Sequence, residues 1–116
     1  MKELKNSPEE KMKGVIWYKT KQKGLMRLEK LIDDYDRINI DVQIMQNNMS
    51  GVHIRFSNND VWIVAPATDC SRGIACNVAL IDNDIEQDII NTIIMPTLKM
   101  KPYRAYNFYN CNPELK

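Results

Sequence analysis

Four consecutive apolar residues, Val78-Ala79-Leu80-Ile81, run straight into Asp82. Successive side chains of a strand alternate between the two sides of a sheet, so a strand that is apolar at every position is covered on both faces. The chain must therefore supply cover for both sides of this strand and hold a carboxylate at its tip. An aspartate placed in this way is a common metal holder in phosphate-handling proteins. No glycine-rich phosphate loop precedes it anywhere in the chain.

The neighbouring segments read as strands of a different kind. Ile38, Ile40, Val42 and Ile44 alternate with Asn39, Asp41, Gln43 and Met45, the two-residue period of a half-buried strand. Val52, Ile54 and Phe56 alternate in the same way after a turn at 47–51, and Asn58-Asn59-Asp60 turns the chain into Val61–Val64. Three strands joined by short turns make an antiparallel meander. Val15–Tyr18 reads as a further strand, and Pro102–Asn110 as a last one. Trp17 and Trp62 fall in strands and belong to the core.

Helix signals are of two strengths. Ser7-Pro8-Glu9-Glu10 makes a capping box for a short first helix, which Gly14 ends. From Lys21 onward Leu25, Leu28, Ile32 and Tyr35 recur at helical spacing, with Lys21, Lys23, Arg27 and Lys30 on the basic outer face. A second main helix is predicted after Asp82, capped by Asn83 with Glu86 in the reciprocal position, lined inside by Ile85, Ile89 and Ile93, and limited by Pro96. The predicted fold is α+β, a mixed sheet of about five or six strands with an antiparallel meander and two main helices. At 116 residues the expectation is a single domain over 1–116.

Composition narrows the setting. No apolar run approaches the roughly 18 residues of a membrane span, and the N-terminus has no apolar signal region, so the expected location is cytoplasmic. Three cysteines, Cys70, Cys76 and Cys111, occur without a CxxC and are expected to be reduced, buried thiols. A zinc site from these and His53 has a spacing that matches no familiar module. The net charge of +1 hides blocks: residues 1–30 hold nine Lys/Arg against four acids, and residues 31–98 three against ten. Blocks this uneven suit either an oriented field or a self-complementary, head-to-tail contact, the latter making a homo-oligomer one expectation. A net charge near zero argues against a dedicated nucleic-acid binder.

Candidate chemistry gathers around few residues. Asp82 and Asp84 flank a strand-to-helix turn and are the candidate metal ligands, with Mg²⁺ the fitting ion. Arg72 beside Gly73 suits a phosphate or carboxylate, since glycine lets the backbone approach closely. Tyr103, Arg104 and Tyr106 suit stacking on a nucleotide-like ligand. No GxSxG, HExxH or CxxC is present, and the lone His53 lies mid-strand.

One segment has a family resemblance. Ile54, Phe56 and Asn58, then Arg72-Gly73, then Asn77-Val78 with Leu80-Ile81-Asp82, then Asp88-Ile89-Ile90 with Ile94 and Pro96, resemble the Walker B half of phage large-terminase ATPase domains over about residues 54–96. The resemblance implies a P-loop ATPase sheet with an antiparallel extension, used to drive DNA into a capsid, and Asp82 in the metal-holding position. Two departures accompany it. The family's glycine-rich loop is absent, and the glutamate that follows the Walker B aspartate is Asn83, whose amide accepts no proton from water. The resemblance thus implies a half-domain without catalysis, engaging a nucleotide-like ligand or a protein partner. The alternatives are a metal-assisted phosphohydrolase on Asp82 and Asp84, with Asp69 or Asp88 as a third carboxylate, and a structural self-assembling protein.

Overall fold

A computed structural model describes residues 12–48, 51–68, 74–99 and 104–107. Six strands form one mixed sheet: β1 (Lys13–Tyr18), β2 (Val42–Asn48), β3 (Gly51–Phe56), β4 (Val61–Pro66), β5 (Val78–Ile81) and β6 (Arg104–Asn107). Their order across the sheet is β2-β3-β4-β1-β5-β6. β4, β1, β5 and β6 run parallel. β2 and β3 extend the sheet as the antiparallel meander that the sequence predicts. The long helix α1 (Lys21–Asp36) follows β1. After β5 comes a short helical stretch, α2 (Gln87–Ile89), continued by a π turn (Ile90–Ile94) and a 3-10 turn (Met95–Thr97). The fold is α+β, as expected. No helix among the described residues is long and apolar enough to cross a membrane.

Alternation divides the core between two faces. Ile16, Trp62, Val64, Val78 and Leu80 point to the face covered by Leu28, Leu31 and Tyr35 of α1. Val15, Trp17, Ile63, Ala79 and Ile81 point to the face covered by Ile85 and Ile94. β5 is buried at all four positions, the outcome its continuous apolarity requires. Gly14 makes room beneath the Trp62 ring, which an added Cβ would overlap. Close packing at this crossing is what lets β1 sit between β4 and β5.

The structure corrects three local readings. The buried stripe of α1 is Gly24, Arg27, Leu28, Leu31 and Tyr35. Arg27 is 5% exposed, whereas Leu25 is 37% exposed, so the helix is rotated relative to the predicted face. A glycine and an arginine inside the stripe broke the apolar period. The alternation from Ile38 is likewise not all strand. Ile38 N–H donates to Tyr35 O and Asn39 N–H to Asp36 O, with Asn39 at φ 64, so Ile38 and Asn39 finish the helix in a left-handed turn. The strand starts at Val42, and its Ile44 and Met45 are exposed. Finally, Asn83 caps no helix: α2 begins at Gln87 after Glu86. The predicted capping box at Ser7–Glu10 lies outside the described residues.

Candidate functional site

The chain leaves β1 for α1 on one face of the sheet, and leaves β5 for α2 on the other. The adjacent carboxyl ends of β1 and β5 are therefore a topological switch point, where open α/β sheets offer a crevice to ligands. Asp82 sits in that crevice. Its backbone N–H donates to Trp17 O at 3.0 Å, which continues the β1–β5 ladder by one residue and fixes the side chain between the two strand ends.

The Asp82 carboxylate has no solvent exposure and is met by three donors. Lys19 N–H donates to Oδ2 at 3.0 Å, and Asp84 N–H to Oδ1 at 3.0 Å. The ammonium of Lys23, from the first turn of α1, lies 2.9 Å from Oδ1. The same Nζ lies 2.8 Å from Oδ2 of the exposed Asp84. Burial alone would push the Asp82 carboxyl up. The Lys19 and Asp84 N–H groups and the Lys23 ammonium outweigh it and hold the acid below its ordinary value of 3.8. Hydrogen bonds to Asp84 and then Asp82 keep Lys23 protonated well above the ordinary lysine range. The result is a fixed ion cluster whose cation belongs to the protein.

Local sequence explains the geometry. Asp82 captures the N–H two residues on and its carbonyl accepts from Ile85 N–H at 3.2 Å, so 82–85 forms a side-chain-stabilised turn in competition with a helix start. Asp84 therefore lies in this turn and not in the first turn of a helix. On the other side, only Lys19 and Thr20 join β1 to α1. A connection this short brings the helix down against the strand end. Gly24 permits it, because a Cβ there would lie 2.5 Å from the Tyr18 ring.

Lys23 is the member of this cluster that the sequence reading assigned elsewhere, to a basic outer face. The available signal was its place in the first helical turn after a two-residue connection, beside the strand that carries Asp82. Of the other predicted residues, Arg104 and Tyr106 lie on β6, in register with Val78 and Leu80. Arg104 is thus at the amino end of its strand and Asp82 beyond the carboxyl end of the next, roughly 13 Å apart along the strand direction. The structure does not bring these two together; Tyr106 lies nearer to Asp82. Arg72, Gly73 and Tyr103 lie outside the described residues, as do Asp69, Cys70 and Cys111. Asp88 is exposed on α2. Among the described residues no three His, Cys, Asp or Glu side chains are grouped to hold a metal ion. Cys76 is a buried free thiol, raised by burial above its ordinary value, with Thr97 Oγ1 at 3.6 Å.

No family profile matches the chain, and no curated protein matches it. Solved structures do. The large terminase of a thermophilic bacteriophage, in one crystal form, superposes with a TM-score of 0.58 at 12% identity, covering 84% of this chain and 25% of that one. The same protein in complex with ATP-gamma-S gives 0.57 at 12% identity over 84% and 24%. A second crystal form gives 0.58 at 15% identity over 89% and 27%. The chain spans about a quarter of the length of that terminase. Identities this low show a shared fold, which supports the terminase-like resemblance as a whole; they carry no residue-by-residue correspondence for the Walker B segment.

Proposed function

We propose that this chain is a phage- or prophage-type accessory domain that keeps a terminase-like fold as a scaffold for binding and does not turn over nucleotide. One observation carries the reading: at the carboxyl ends of β1 and β5 the Lys23 ammonium is seated on both Asp82 and Asp84. A divalent ion bridging a nucleotide to Asp82 would have to displace a cation held by a covalent tether. The carboxylate, held ionised by three donors, is a weak proton acceptor, and Asn83 beside it is an amide. The two-residue β1–α1 connection adds no backbone cradle for phosphates.

The ligand side of the reading is a nucleotide-like molecule or a protein partner, held by Arg72, Gly73, Arg104 and the Tyr103–Tyr106 segment. Arg72→Ala and Arg104→Ala should then each abolish saturable nucleotide binding; wild-type binding in both variants would remove the nucleotide-like ligand. The test of the whole is an ATPase assay with Mg²⁺ beside a thermal-shift screen. The expected result is no turnover in wild type. Turnover that vanishes in Asp82→Asn with the fold intact would replace this reading by the metal-assisted phosphohydrolase.

A further inference from the structure

We infer that β2 and the groove beside it accept an extended, acidic segment of a partner protein as a seventh strand. β2 is an edge of the sheet among the described residues. Proteins blunt such edges with charge, proline or brevity, because unpaired backbone groups template further pairing. β2 has none of these: its seven residues, VQIMQNN, carry no charge and no proline. Its one irregularity, between Val42 and Ile44, leaves Ile44–Asn48 in regular register. The opposite edge among the described residues, β6, opens with Arg104.

A groove of about 440 Å³ runs between this end of the sheet and α1. Leu25 and Leu28 of α1, Met45 of β2, Val52 of β3 and Val64 of β4 line it. Its lips, Leu25 and Met45, are 37% and 49% exposed. Alternate side chains of an added strand would fall on the α1 side of the sheet and enter this groove, the arrangement of strand-addition complexes. The groove thus selects apolar residues at every second position.

Charge selects the remainder. Among the described residues that line the groove, Lys21 carries a charge and no Asp or Glu is present. Lys23 is committed to Asp82 and Asp84. Lys21 lines the groove, and its ammonium meets no carboxylate among the described residues. A lining with a lysine and no acid favours an anionic partner and disfavours a basic one.

The inference deepens the binding reading above but uses no nucleotide chemistry, so the two fail separately: ATP turnover would sink that reading alone. The probe is a fluorescein-labelled peptide alternating glutamate and valine, with a lysine–valine counterpart, followed by anisotropy. The acidic peptide should bind saturably and more weakly as salt rises, and the basic one should not. Lys21→Glu, an exposed change, should weaken binding about threefold, as for an exposed ion pair. Met45→Asp should weaken it about tenfold, as for an anchor at a lip, with unchanged circular dichroism. No saturable binding, or equal binding of both peptides, overturns the inference. So does a wild-type mass of a dimer that Met45→Asp converts to monomer, since a second copy would then occupy the edge.

Discussion

Asp60 and Asp82 are both buried aspartates at the ends of the same sheet, and they are satisfied by different means. Asp60, 7% exposed, stands before β4 at the amino end of the parallel strands. It accepts from Met12 N–H at 2.9 Å, from Tyr35 O–H at 2.7 Å and from Asn58 Nδ2 at 3.0 Å. Trp62 Nε1 donates in turn to the Tyr35 oxygen at 3.0 Å, and the Tyr35 ring stacks on Phe56 with centroids 3.9 Å apart. All these donors are neutral. Asp82, at the carboxyl end, adds an ammonium to its two backbone donors and shares it with an exposed acid. A neutral network joining α1, β1 and β4 is a structural lock. The ion cluster at the carboxyl ends of β1 and β5 is a charged pairing that carries its own cation.

The contrast can be broken from either end. Asp60→Ala should give the largest loss, about 3 kcal/mol in chemical denaturation, because it orphans several buried donors at once. Lys23→Met should come next: it leaves Asp82 buried without its counter-charge and lowers Tm. It should also alter the acid limb. Asp82's folded value is depressed, so its contribution is present above 3.8 and is lost as pH falls through the depressed value. Without Lys23 that value rises, and acid unfolding moves to higher pH.

Smaller effects sharpen the same distinction. Tyr35→Phe should cost about 1–3 kcal/mol by removing one donor from Asp60 and one acceptor from Trp62. Tyr35 is raised above its ordinary 10.0, chiefly by burial, and so favours the protonated, folded form. Wild-type stability should therefore fall as pH rises beyond 10, and Tyr35→Phe should flatten part of that fall. Gly24→Ala tests the close approach that delivers Lys23. Helix propensity alone would favour alanine by about 1 kcal/mol. Contact with the Tyr18 ring at 2.5 Å should reverse the sign, to a net loss of about 1 kcal/mol. Asp84→Ala, at an exposed position, should change Tm least.

The sheet was legible because its signals are local and periodic. Val78–Ile81 announced a strand covered on both faces, and Val52, Ile54 and Phe56 one face of a meander. Polar placement was less legible. Asn58-Asn59-Asp60 reads as a turn, and nothing in its neighbourhood shows that Tyr35, many residues earlier, closes a hydrogen bond on Asp60. Asp82 stood out because it ends an apolar strand, but its partner did not, since Lys23 looks like any lysine on a basic helix. The rotation of α1 that delivers it depends on Gly24 and Arg27, residues that an apolar period does not register. Pairing across the sheet also had to come from the fold: only the parallel register of β6 on β5 sets Arg104 apart from Asp82 and Tyr106 nearer to it.

The most direct measurement is ATP hydrolysis in the presence of Mg²⁺ by wild type, Asp82→Asn and Lys23→Met, each verified as folded. A switch-point aspartate paired with the chain's own lysine predicts no turnover in any of the three. Wild-type turnover that is lost in Asp82→Asn would contradict the account, because Asp82 would then be working with a metal ion and not with Lys23.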